Sequence, residues 1–219
     1  MPADAARPAY AAVVFDLDGT LVDSVELITV SFQHAIKEVL GRDASREEAV
    51  AHVGTPLREQ MIKISPSHAD ELVAVYREFN HREHDRMLKL YDGILDLLNR
   101  LTCAGVKLGL VTSKSRATTQ MAFDLTGIDV YFDATVCCDE APGNKPSAEP
   151  ILFCLAGLQT APEDAAYVGD SPADIQAAHA AGVTAIAVSW GVFDTPTLAA
   201  EKPAALVHTI PELVDLLRV

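Results

Sequence analysis

Val14-Phe15-Asp16-Leu17-Asp18-Gly19-Thr20-Leu21-Val22-Asp23-Ser24 is the stretch on which the reading of this chain turns. It continues an apolar run, Ala12–Phe15, that reads as a strand, and then presents two acids spaced two apart. Residues at that spacing on an extended backbone point to the same side. Asp16 and Asp18 can therefore face one cavity at the carboxyl end of the strand, where open α/β sheets place their ligands. Two close carboxylates repel, and one pKa rises unless a cation lies between them. That arrangement suits one acid as nucleophile or metal ligand and the other as general acid and base. A calcium loop of the EF-hand kind needs a longer run of oxygen ligands ending in Glu, and none follows.

Outward from this stretch, short apolar runs alternate with helical periodicity. Lys107–Val111, Ala134–Cys137, Ala165–Val168 and Thr184–Val188 are nearly unbroken in apolar residues, as in strands covered on both faces. Between them, the stripe Ile94, Leu97, Leu98, Leu101 stops near Gly105, and Met121–Leu125 closes a helix before Gly127. Ser171-Pro172 supplies an N-cap and a first-turn proline. This order predicts an α/β fold built on a doubly wound parallel sheet. From residue 23 to residue 89 the alternation stops. Only helical patterns occur there, over Val25–Leu40, Arg46–Val53, Pro56–Ile64 and Ser67–Met87. A block this long exceeds a crossover, so it predicts an inserted small α-helical domain, 23–89, against a core of 1–22 and 90–219. The linkers fall near Leu21–Asp23 and Leu90–Gly93.

Composition removes whole classes of function. With 17 Lys+Arg against 31 Asp+Glu the net charge is −14, which leaves no basic footprint for nucleic acid. The helical insert (23–90) is less lopsided, with nine basic and twelve acidic residues, so it opposes the approach of an anion less than the core does. The longest stretch free of Asp, Glu, Lys and Arg, Ile175–Phe193, is interrupted by Gln176, His179 and Gly182 and makes a poor membrane span. Met1–Tyr10 carries no apolar signal stretch. Cys103, Cys137, Cys138 and Cys154 have no metal-ligand spacing and read as reduced thiols, which places the protein in the cytoplasm. His81 and His84 sit among Arg82, Glu83 and Asp85 and read as a solvated helix face rather than a zinc site.

Three further places carry chemistry. Tyr167-Val-Gly-Asp-Ser-Pro-Ala-Asp174 puts Asp170 at a strand end and Asp174 in the first turn of a helix. Alone, such an Asp complements the helix dipole. Beside Asp16 and Asp18 it completes an all-oxygen set that favours Mg2+ over zinc. Thr112-Ser113 follows the strand Leu108–Val111, where hydroxyls and backbone N–H groups can hold phosphate oxygens; the alternative is an N-cap for the next helix, a role that Ser115 could play instead. Lys145 offers positive charge to a cluster of acids. Neither a phosphate-binding P-loop nor a dinucleotide glycine fingerprint occurs anywhere, so P-loop nucleotide hydrolysis is excluded.

Together Asp16-Leu-Asp-Gly-Thr-Leu-Val-Asp-Ser24, Val111-Thr-Ser-Lys114, Lys145-Pro-Ser-Ala-Glu-Pro150 and Val168-Gly-Asp-Ser-Pro-Ala-Asp174 resemble the four motifs of the haloacid dehalogenase superfamily, and within it the phosphoglycolate-phosphatase-like hydrolases. The resemblance covers about Val13–Val188. It implies a Rossmann-like core with a helical cap, and a Mg2+-dependent phosphatase for a small phosphorylated metabolite. Asp16 would attack phosphorus and carry an aspartyl-phosphate, while Asp18 would serve as acid and base. Thr112 and the Ser113 backbone would bind phosphoryl oxygens, and Lys145 would orient Asp16. Asp16, the Asp18 carbonyl, Asp170 and Asp174 would hold the metal, Asp174 directly or through water. Dehalogenases lack the second acid, so Asp18 argues for phosphoryl transfer. Ala148 departs from the commoner proline of the third motif. Gly54-Thr-Pro-Leu-Arg58 resembles the cap loop that faces the active site, and Arg58 is expected to grip a second anionic group or to stand as a solvated charge. Phosphoglycolate and pyrophosphate are the leading substrates, with a β-phosphoglucomutase-like phosphotransferase as the alternative and a receiver-like phosphorylation switch as a remote one. The oligomeric state is open between monomer and homodimer.

Overall fold

A computed structural model describes residues 8–51 and 53–219. Its strands are β1 (Ala12–Phe15), β2 (Val22–Asp23), β3 (Lys89–Leu90), β4 (Lys107–Val111), β5 (Ala134–Val136), β6 (Ala165–Gly169), β7 (Thr184–Val188) and β8 (Ala205–Val207). Its α-helices are α1 (Val25–Leu40), α2 (Arg46–Val50), α3 (Leu57–Ile64), α4 (Ala69–Met87), α5 (Ile94–Cys103), α6 (Arg116–Thr126), α7 (Glu149–Leu158), α8 (Pro172–Ala181), α9 (Thr195–Ala200) and α10 (Ile210–Leu217). Six strands pair in parallel in the order β5-β4-β1-β6-β7-β8. The chain winds out from β1 through β4 and β5, crosses back to β6, and winds out the other way. The winding therefore reverses at β1, where a doubly wound sheet opens its ligand crevice.

Alternation along each strand feeds two cores. Val13 and Phe15 pack on one face with Leu108, Leu110, Val168 and Ile186, under α5, α6 and α10. Ala12 and Val14 turn to the other face with Val111, Tyr167 and Ala187, under α7, α8 and α9. Both faces are covered, which is why the strands carry so few polar residues. Local capping matches the expected helix starts. Ser115 Oγ accepts from Thr118 N, and Ser171 with Asp174 forms a reciprocal capping box.

Helices α1–α4 surround a third cluster of their own, including Ile28, Phe32, Ile36, Met61, Leu72 and Tyr76. Phe32 and Tyr76 meet edge to face at 4.8 Å. The chain enters and leaves this block through β2 and β3, which pair antiparallel. Several details differ from the sequence reading. Helix α2 stops at Val50 rather than Val53, and a short 3-10 turn over Pro66–His68 precedes α4. Strands β2, β3 and β8 and helices α9 and α10 were not anticipated. His84 is 2% exposed, not solvated, because it continues the buried face of Leu72, Tyr76 and Asn80 at four-residue spacing. All four cysteines are free.

Candidate active site

Beyond β1 the parallel ladder continues for one more bond, from Asp16 N to the Val168 carbonyl at 2.9 Å. That bond fixes Asp16 at the crevice between β1 and β6. The chain then turns sharply at Gly19, whose φ of 75° lies in the left-handed region. A side chain at Gly19, or at Gly191 in the loop after β7, would run into the Asp170 carboxylate. Two backbones thus close directly on that acid, and only glycine permits it. Asp170 Oδ1 accepts from Thr20 Oγ1 at 3.3 Å, and Oδ2 accepts from Val192 N at 2.8 Å.

Lys145 links the two ends of the cluster. Its Nζ lies 2.8 Å from Asp16 Oδ1 and 2.5 Å from Asp174 Oδ1, and the residue is 3% exposed. Asp174 already accepts from four donors: Lys145 Nζ and Tyr167 OH on Oδ1, and Ser171 N and Oγ on Oδ2. That fills the lone-pair sites of a carboxylate.

Burial raises the Asp16 pKa to about 7, with Asp174 and Asp18 adding to the rise and Lys145 opposing it. Burial likewise lifts Asp170 well above the usual carboxylate range, helped by Asp174 and Asp16. Burial works against the charge on Lys145, yet Asp16 and Asp174 more than offset it and push its pKa up. Carboxylate oxygens of Asp16, Asp170 and Asp174 can come within 4.8 Å of one another. One lysine does not neutralise three buried acids, so the cluster fits a divalent cation held by hard oxygen ligands. The Asp18 carboxylate is not in that group. Its Oδ2 meets Lys114 Nζ at 2.9 Å, and its buried Oδ1 has no hydrogen-bond partner among the described residues.

Asp16, Asp18 and Asp170 line a cavity of about 180 Å³ between the sheet and the helical block. Thr112, Ser113 and Lys114 reach it from the loop after β4, Gly54 and Arg58 from the segment before and into α3, and Tyr76, Arg77, Asn80 and His81 from α4. The residues expected from the sequence therefore converge here, with Lys145 and Asp174 buried behind the acids. Two details add to the expectation. The Ser113 side chain has a structural contact of its own: Oγ donates to the Gly54 carbonyl at 2.6 Å, tying the β4 loop to the helical block. Arg58 is tied to Asp70 at 2.9 Å in an exposed ion pair, 63% and 81% accessible, as a solvated charge would be. Sequence reasoning assigned no role to Lys114, Arg77, His81, Gly191 or Val192. Arg77 and His81 share the i, i+4 spacing that puts them on one face of a helix, but nothing in the sequence says which face meets the sheet.

A family model described as haloacid dehalogenase-like hydrolase matches residues 13–188. The chain belongs to this family. Among curated relatives of this haloacid dehalogenase-like hydrolase, pyrophosphatase PpaX of Anoxybacillus flavithermus is 37% identical over 207 residues, covering 94% of this chain and 96% of that one. Pyrophosphatase PpaX of Bacillus velezensis is 36% identical over 205 residues, with 94% and 95% covered. A crystal structure from Lactobacillus plantarum, provisionally described as a phosphoglycolate phosphatase, superposes with a TM-score of 0.85 at 28% identity, covering 95% of this chain and 99% of that one. The hydrolase has a Rossmann-like α/β core with helices inserted after β2, and it is an enzyme. Among its described residues, no helix is long and apolar enough to cross a membrane.

Proposed function

We propose that this hydrolase is a Mg2+-dependent phosphatase that cleaves a small phosphorylated metabolite through an aspartyl-phosphate on Asp16, with inorganic pyrophosphate as first candidate substrate and phosphoglycolate as second. One observation carries the reading. Asp16 lines the cavity while Lys145 holds its Oδ1, and beside it Asp18 keeps a buried oxygen that has no partner among the described residues. The first carboxylate is positioned to attack phosphorus. The second is free to give a proton to the leaving oxygen and then to take one from the attacking water. Thr112, buried at the cavity, and Ser113 bind the phosphoryl oxygens.

Asp16, Asp170 and the Asp18 carbonyl would hold Mg2+, and Asp174, its lone pairs already filled, would support Lys145 and Ser171 instead. When bound, the ion neutralises charge on the phosphoryl group. Residues 23–89 act as the cap, which excludes water from the reacting centre. The cavity is below the usual size for a drug-like ligand, which suits a metabolite of a few heavy atoms rather than a nucleotide. Names of the relatives favour pyrophosphate, and the free cysteines suit the reducing cytoplasm.

Phosphate release from pyrophosphate, phosphoglycolate and simple esters in Mg2+ tests the reading. Activity on a small anionic substrate, abolished by EDTA and by Asp16→Asn, is the expected result. Absence of release from every compound by the folded protein would overturn it.

A further inference from the structure

Arg77 and His81, four residues apart, occupy one face of α4 and line the same cavity as Asp16 and Asp18. Lys114 joins them from the β4 loop, with its side chain 13% exposed. Arg58, the arginine that the sequence pointed to, is committed to Asp70. Arg42, Arg46, Arg82, Arg86, Arg100 and Arg116 each have a carboxylate partner. Among the described residues Arg77 has neither an ion pair nor a hydrogen bond. A guanidinium without a partner among the described residues, on the wall of a small cavity that ends in a nucleophile, is the group placed to receive an anion. Its planar fork matches the paired oxygens of a phosphate or carboxylate. The positive field there is also felt by His81, whose pKa is lowered by burial first and then by His84, Arg77 and Lys114.

We propose that Arg77, assisted by Lys114, determines specificity by gripping the second anionic group of the substrate, an inference that rests on the phosphatase reading above. The substrate class is then a small phosphoryl compound with a second anionic group within a few bonds of the scissile phosphorus. Pyrophosphate and phosphoglycolate share that chemistry, and a simple monoester lacks it. The Asp16 end of the cavity takes the transferring phosphoryl group, and the α4 side takes the other end of the molecule.

Steady-state kinetics on pyrophosphate, phosphoglycolate and methyl phosphate, with wild type, Arg77→Gln, Arg77→Lys, Arg58→Ala and the α4 surface control Arg82→Gln, test this. The readout is kcat/KM for each two-anion compound divided by that for methyl phosphate. Loss of a charged hydrogen bond predicts a fall in this ratio of about ten- to a hundredfold in Arg77→Gln, mainly through KM. Arg77→Lys keeps an intermediate ratio, because it retains charge without the fork. Arg82→Gln leaves the ratio in place, and Arg58→Ala moves it less than Arg77→Gln does. Whichever two-anion compound shows the larger fall in Arg77→Gln identifies the group that Arg77 holds. An unchanged ratio in Arg77→Gln, an equal fall for all three substrates, or a larger fall in Arg58→Ala overturns the assignment while the phosphatase reading stands. Wild type inactive on all three compounds overturns the phosphatase reading and the assignment with it.

Discussion

Asp170 is held by Thr20 and Val192, enclosed by two glycines, and still disfavours its own charge, because burial and the neighbouring acids outweigh those two donors. The consequence is a stability that depends on pH and metal together. The folded protein keeps a proton on Asp170 to a higher pH than the unfolded chain, where an aspartate titrates near about 3.9. Asp16 behaves alike, with its pKa pushed up to about 7. Between those limits the folded state binds more protons, so stability is fully present below about pH 4 and is lost as pH rises through the folded values. Asn at position 170 removes one titrating group, and its amide can meet Thr20 as donor and Val192 N as acceptor. In EDTA, Asp170→Asn is expected to melt above wild type at pH 8, with the gap closing toward pH 4. Adding Mg2+ at pH 8 should raise the melting temperature of wild type and do little for the variant. Parallel melting curves across pH for the two proteins would show that the carboxylate carries no such cost. The sequence made these acids legible because D-x-D at a strand end and an Asp before a helix are local patterns. It could not show that Gly191 and Val192, some twenty residues downstream, close over Asp170. Nor could it show that Arg58 meets Asp70 while Arg77 has no ion pair or hydrogen bond among the described residues. Those outcomes depend on where α3 and α4 lie against the sheet, which no short-range spacing encodes.

At the scale of elements, the contact between the β4 loop and the segment before α3 joins the two parts of the site. Ser113 Oγ donates to the Gly54 carbonyl, and Gly54 adopts a φ of 99°. A Cβ on Gly54 would stand 2.5 Å from Ser171 Oγ, the N-cap of α8. The segment therefore rests on two loops that also shape the crevice at Asp16, and its docking completes the cavity. Ser113→Ala removes the hydrogen bond and keeps the backbone, so kcat/KM should fall by about two- to tenfold. Its thermal stability should remain near that of wild type. Gly54→Ala adds both a collision and a left-handed backbone demand, and its loss should exceed that of Ser113→Ala. Equal activity in Ser113→Ala and wild type would show that the bond does not hold the cap loop. Which elements the sequence revealed follows the same physics. β1, β4, β6 and β7 announce themselves because they are buried nearly throughout and apolar on both faces, and β5 adds a short apolar run at the sheet edge. β2 and β3 are two residues each, paired across the whole insert, and β8 is three residues at a sheet edge; none is long enough to set up a period. The buried face of α4 mixes Leu72 and Tyr76 with Asn80 and His84, so its periodicity looks polar although Asn80 is satisfied by Ser31 Oγ at 3.1 Å.

For the molecule as a whole, the decisive feature is that the three hydrophobic clusters are unequal. The sheet is clamped between two large ones, while α1–α4 close on a smaller cluster of their own. The roots of the helical block belong to the core: Val22, Leu27 and Leu88 pack with the β1 face of the sheet. Beyond those roots, the short β2–β3 ribbon and the Ser113–Gly54 contact tie the two parts together. A two-stranded ribbon contributes little stability by itself. The helical block should therefore open as a unit at lower free energy than the sheet, with its pivot at residues 22–23 and 89–90. Hydrogen–deuterium exchange reads this directly. Amides of α1–α4 should exchange sooner than those of β1, β4 and β6, and by one common mechanism. Mg2+ together with inorganic phosphate should then slow exchange in the Gly54 segment and the β4 loop, because a ligand in the cavity touches both sides and favours the closed arrangement. Exchange at a single rate across both parts would mean one cooperative unit with no separate cap motion. Protection confined to the β4 loop would mean that phosphate binds without recruiting the helices, and that the cap reads only the remainder of the substrate.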